Sequence, residues 1–151
     1  MKRRRSRLPG QQHLHDLFAG PTFDALKRHG GQLDTEHLRG EISEALKGAL
    51  SKKDWEPYKR GRNEPIWWND IRAQAIRWRS RHFMEDSTFD RVWRITDKGL
   101  RELEELRARF VTSRRITPTS TGWILTGEGI DWWQKSREWL PSRSDEEEIF
   151  G

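Results

Sequence analysis

The stretch Trp67–Gly99, WWNDIRAQAIRWRSRHFMEDSTFDRVWRITDKG, decides the reading of this chain. At about 100° per residue, Trp68, Ile71, Ala75, Trp78 and His82 share one arc, which predicts a helix from about Trp67 to His82 docked on a core. Asn69, Ala73, Ile76, Arg77 and Ser80 fall on the opposite side. Arg72 and Arg79 flank the inward arc on one edge, Arg81 and Asp70 on the other. Phe83-Met84-Glu85 and Val92-Trp93-Arg94-Ile95-Thr96 then predict the two strands of a hairpin, the second alternating in polarity. Asp97 is positioned to cap a following helix with the stripe Leu100, Leu103, Leu106 and Phe110.

Upstream, Phe23 to His29 predicts a short first helix, entered through Gly20-Pro21-Thr22 and ended by Gly30-Gly31. Leu33 suits a short bridging strand. Asp34 or Thr35 caps a second helix, Glu36 to Leu50, with Leu38, Ile42, Ala45, Leu46 and Ala49 on one side. Ser51-Lys52-Lys53-Asp54 has the form of a capping box. Lys59-Arg60-Gly61-Arg62 is a basic loop before Pro65.

Downstream, Trp123-Ile124-Leu125-Thr126-Gly127-Glu128-Gly129-Ile130 echoes Trp93-Arg94-Ile95-Thr96-Asp97-Lys98-Gly99-Leu100. Trp, Thr and Gly recur at the same offsets, as do aliphatics before Thr and after Gly. This predicts a second strand running into a helix, from Ile130 to Leu140. The competing reading is chance, since strand-then-glycine junctions are common.

The expected fold class is mainly α with a small β wing: a winged helix-turn-helix with a C-terminal hairpin and helix appendage. The expected divisions are a basic arm over 1–20, the winged helix over 21–110, the appendage over 111–140 and a flexible acidic tail over 141–151.

Composition narrows the function. The chain has 151 residues, 32% hydrophobic and 35% charged, and only its nine Trp and six Phe lift it out of the range of disordered chains. A formal charge of +5, with five basic residues in the first seven, favours a polyanionic partner over a merely solubilising surface. The absence of Cys excludes disulfides, thiolate zinc sites and a cysteine nucleophile. No apolar run suits a membrane span, and no apolar segment follows the basic start as a signal peptide requires. The expected location is cytoplasmic and nucleoid-associated, in a prokaryote or a virus infecting one.

The run W-x-N-D-I-R…W…V-W-R-I-T-D-K-G-L resembles the winged-helix domain at the N-terminus of Mrr-type restriction endonucleases. The resemblance covers about Pro21 to Phe110. It includes the helix ending in Gly30-Gly31, a recognition helix with Asn69 and Trp78, and a wing ending in Trp93, Thr96 and Gly99. It implies DNA binding, in some members with a preference for modified bases. The nuclease half of that family needs an Asp and a Glu/Gln-x-Lys pair for a divalent metal. No such triplet occurs here, and the chain after Phe110 is short for that fold, so no catalytic residue, metal or cofactor is expected.

The candidate DNA contacts are Lys59, Arg60 and Arg62 on the basic loop, Asn69, Arg72, Arg77, Arg79 and Arg81 on the third helix, and Arg91 and Arg94 on the wing. In this expectation the helix enters the major groove by its N-terminal half, with Asn69 on adenine and Arg72 or Arg77 on guanine. Trp67 and Trp133 are candidate walls of a base cage, weighed against the simpler reading that they are core. His13-x-His15-Asp16 reads as a solvated turn more readily than as metal ligands. Double-stranded DNA is the expected partner. The alternative is a protein-interaction module with a Trp-rich surface. The Glu/Arg-rich helix after the wing suits a homodimer contact as well as packing on its own core.

Overall fold

The structure, a computed structural model, describes residues 9–59, 63–86, 91–119 and 121–139. The elements run α1 (Pro9–Arg28), β1 (Gln32–Asp34), α2 (Thr35–Ala45), a 3₁₀ turn (Lys53–Trp55), α3 (Ile66–Ser80), β2 (Val92–Arg94), α4 (Asp97–Thr112) and α5 (Gly127–Trp139). It is a mainly helical fold with a small antiparallel wing. β1 pairs with β2 in the register Leu33 opposite Trp93, and a bridge from Met84 to Ile95 adds the incoming strand of the hairpin. No described helix is long and apolar enough to cross a membrane.

The caps explain the helix starts. Asp34 accepts from the His37 amide at 3.0 Å and opens α2. Ser51 and Asp54 form the reciprocal box: the Ser51 amide donates to the Asp54 carboxylate, and the Asp54 amide donates to Ser51 Oγ. At α4 the cap is Thr96, not Asp97. Thr96 Oγ1 accepts from the Gly99 amide at 3.0 Å and donates to the His82 carbonyl at 2.5 Å. The second bond needs a hydroxyl donor, which an Asp carboxylate lacks.

The first helix departs most from expectation. It begins at Pro9 rather than Phe23, so residues 9–20 belong to the folded body, not to an arm. Leu17, Phe18 and Ala19 are in the core. Pro21 lies inside the helix and has no N–H to donate to the Leu17 carbonyl four residues back. That carbonyl accepts instead from the Trp133 indole N–H at 3.0 Å. One residue before the proline, a Cβ at Gly20 would overlap the Trp123 ring. The Gly-Pro pair is therefore where α1 receives two tryptophans from the C-terminal part of the chain.

For the same reason 111–140 is no appendage. Trp123 and Trp133 join the one core cluster, with Trp133 edge-on to Phe18. Arg137 bonds Asp54 at 2.8 Å and also pairs with Asp70, tying α5 to the 3₁₀ turn and α3. Burial disfavours the Arg137 charge, but Asp70 and Asp54 outweigh it and hold its pKa above the ordinary value. The tail 141–151 lies outside the described residues.

The echo in the sequence is a repeat of structure. α3 and α4 end alike: the amides of Phe83 and Arg115 each donate at 2.8 Å to a carbonyl five residues back, on Trp78 and Phe110. Between them His82 and Arg114 take φ of 67° and 62°. Each helix is followed by a short hairpin, bridged Met84 to Ile95 and Ile116 to Leu125. Thr126 repeats Thr96: Oγ1 accepts from the Gly129 amide at 2.9 Å and donates to the Arg114 carbonyl at 2.6 Å. A Cβ at Gly99 would overlap the Phe83 carbonyl oxygen, and one at Gly129 the Arg115 carbonyl oxygen. The chain thus carries two helix–hairpin–helix units in series, sharing α4.

Candidate nucleic-acid interface

α3 is buried unevenly along its length. Every residue from Ile66 to Ile71 is buried. The preceding segment folds over this end: the Ile66 amide donates to Glu56, the Tyr58 amide donates to Glu64, and Pro57 bridges Pro65. Trp55 lies edge-on to Trp67, with ring centroids 5.6 Å apart. The expectation that α3 presents its N-terminal half is therefore corrected. Asn69 is only 9% exposed, and its Nδ2 is buried without a hydrogen-bond partner among the described residues. The helical arc alone placed it outside; its burial comes from tertiary packing that the arc does not carry.

The open part of α3 is its C-terminal half. Arg72, Ile76, Arg77, Ser80 and Arg81 are exposed and Ala73 half-buried. Ile76 is 67% exposed at the middle of this face. Arg72 is ion-paired with Glu64. Arg77 has no ion-pair partner among the described residues. A half-buried alanine and a serine keep the helix surface low between the arginines, as close approach to a groove requires.

The wing is fixed against α3 by aromatic contacts. Trp68 and Trp93 stack with centroids 5.4 Å apart and planes 17° apart. The Arg39 guanidinium lies 5.6 Å from the Trp68 ring centre, and that of Arg79 lies 5.4 Å from the Trp93 ring centre. Arg79 is thus half-buried and serves the wing rather than an outer surface. Burial lowers its pKa, with Asp86 acting in the opposite sense. On β2, Arg94 Nε donates to Gln32 Oε1 at 3.1 Å, while Arg91 is exposed and its carbonyl accepts from the Thr35 amide.

Lys59 is exposed, its ammonium 5.3 Å from the Tyr58 ring centre. Arg60 and Arg62 lie outside the described residues. Of the expected contacts, Arg72, Arg77, Arg81, Arg91 and Lys59 are exposed, Arg79 and Arg94 are partly buried, and Asn69 is enclosed.

The base cage is corrected outright. Trp67 and Trp133 are each 1% exposed, packed against Trp55 and Trp68 and against Phe18. Neither offers a ring face to a ligand. His15 is also interior. The Trp78 indole donates to its Nδ1 at 2.9 Å, so the ring proton is on Nε2 and is donated to Glu102 at 2.8 Å. The His15 bond is the first cause that holds the Glu102 carboxyl below its ordinary pKa. Asp16 pairs with Arg109 at 3.4 Å. Among the described residues no group of three His, Asp or Glu could hold a metal ion.

Compared with known protein families, with curated proteins and with solved structures, the chain matches none.

Proposed function

We propose that this protein binds double-stranded DNA through the C-terminal half of α3 and the wing. The observation that carries the reading is the exposed face Arg72, Ala73, Ile76, Arg77 and Ser80, set beside a wing bearing Arg91. Arg77 and Arg81 serve phosphates or guanine edges, and Ile76 offers an aliphatic contact suited to a thymine methyl group. Lys59 and Arg91 meet the backbone on either side. Arg72 joins them when it leaves Glu64. The resemblance of the α3–wing sequence to the Mrr-type DNA-reading domain favours the same reading: a regulator, or the DNA-reading component of a restriction or defence system, with no catalytic step of its own.

Titration of a labelled duplex tests this. If three phosphates are neutralised, affinity should fall roughly 40-fold between about 50 and 200 mM salt. Arg77→Ala should weaken binding about 3- to 10-fold, and Arg109→Ala, on the matching face of α4, by less than about 2-fold. Affinity that is indifferent to salt and to Arg77→Ala would sink the DNA reading. It would favour instead a protein contact centred on the exposed Ile76 and Trp55.

A further inference from the structure

The two hairpins differ in one respect that has a chemical consequence. In the first, the outgoing strand carries β1 on its outer edge, with the Ile95 amide donating to the Gly31 carbonyl at 2.9 Å and Leu33 opposite Trp93. In the second, the outgoing segment 123–125 has one neighbouring strand among the described residues. The Thr117 amide donates to the Ile124 carbonyl, and the Thr126 amide donates to the Arg115 carbonyl. Backbone groups alternate in direction along a strand, so those of Trp123 and Leu125 point the other way. They have no backbone partner among the described residues. This is the place that β1 fills in the first unit.

A groove of about 420 Å³ lies on that side. Its walls are Gly122 to Leu125, Ile130, the Glu41, Glu44 and Ala45 side of α2, and Lys47 and Gly48 just after it; residues 115–117 take no part. Ile124 is 50% exposed beside it, where the first unit has Arg94. The edge is held in place. Arg107 donates to the Thr119 and Gly122 carbonyls at 3.1 Å each and to Asp24 at 2.6 Å. Arg28 on the rim is bonded to Asp24 and paired with Glu41, Glu44 and Lys47 add one charge of each sign, and Trp123, Ile124, Leu125 and Ile130 supply an apolar wall.

We propose that this edge receives an extended segment of a partner protein as a third, antiparallel strand. The segment has an uncharged, aliphatic residue opposite Trp123, as Leu33 stands opposite Trp93, and a carbonyl that accepts from the Leu125 amide. The first unit supplies the template for the occupant. The assignment is independent of DNA binding, since α3 takes no part in it.

Amide hydrogen exchange on the full chain tests it, with a blocked peptide of the sequence of residues 30–35 as the probe. Without peptide, the Trp123 and Leu125 amides should exchange roughly tenfold or more faster than those of Trp93 and Ile95. Millimolar peptide should slow them and shift their NMR signals. The same peptide N-methylated at leucine should do neither, and Ile124→Asp should weaken the effect while leaving Ile95 protected. No response to the peptide, or an equal response to the methylated one, overturns the proposal. Slow exchange without peptide also overturns it. If that protection vanishes on deleting 141–151, the occupant is the chain's own C-terminal segment; if it vanishes on dilution, a second copy.

Discussion

The two helix–hairpin–helix units share a backbone and differ in what they show the solvent. At the helix face before the first hairpin stand Arg72, Ala73, Ile76, Arg77 and Ser80. At the matching places before the second stand Glu104, Glu105, Ala108, Arg109 and Thr112. The first face is cationic with an aliphatic centre; the second opens with two carboxylates, which repel phosphate. The first hairpin bears a third strand, and the second has none on that edge among the described residues. The difference teaches that the junction residues fix the unit, while the outward positions are free to vary. Positive φ at His82 and Arg114, the threonine caps and the two close glycines recur, whereas of the five outward positions only the arginine, Arg77 and Arg109, does.

The strongest way to break this equivalence is at the glycines. Gly99→Ala and Gly129→Ala each force a methyl group onto a backbone carbonyl that cannot swing away, and each should cost about 2–3 kcal/mol in urea melts. Closely matched losses are expected. A neutral Gly129→Ala would mean that the second junction is not closed as the first is.

A smaller effect sits where the second unit meets α1. Trp133→Phe removes the indole donor from the Leu17 carbonyl and should cost about 1–3 kcal/mol. Pro21→Ala restores a backbone N–H four residues beyond that carbonyl. The double variant should therefore be less destabilised than the sum of the two single variants. Simple additivity would show that the carbonyl had never depended on Trp133.

The smallest expected effect belongs to the first unit alone. Trp78 donates to His15, which donates to Glu102; its counterpart at the second helix end is Phe110, whose side chain has no N–H. Glu102 has a native pKa below its ordinary value of 4.5. A depressed carboxyl pKa stabilises the fold above the unfolded value, and that contribution is lost as pH falls through the native one. Melting temperature should drop with acidification below about pH 4.5, and less steeply in Glu102→Gln. Identical acid profiles would remove Glu102 from the account.

Local pattern carried the reading of the wing and of α4, because Val92 to Phe110 obeys strand and helix periods in turn. It also gave the Asp34 cap, the Ser51–Asp54 box and the repeat. It misread Gly20-Pro21 as an entry point, because the group that satisfies the Leu17 carbonyl is Trp133, 116 residues away. The candidate interface was legible by half. Helical spacing separated Arg77 from Trp78, but it said nothing of the packing that buries Asn69. Nor could spacing find the Arg137 pairing with Asp54 and Asp70, which comes from three distant segments.

The proline in α1 also bears on the order of events during synthesis. A helix made early is ordinarily free to settle while the chain after it is still being made. Here the Leu17 carbonyl and the surface around Phe18 await α5, whose Trp133 emerges on the order of 10 s later at ordinary elongation rates. The first described helix is thus finished by the last one described, and shielding of the nascent segment through that interval becomes part of the cost of the design.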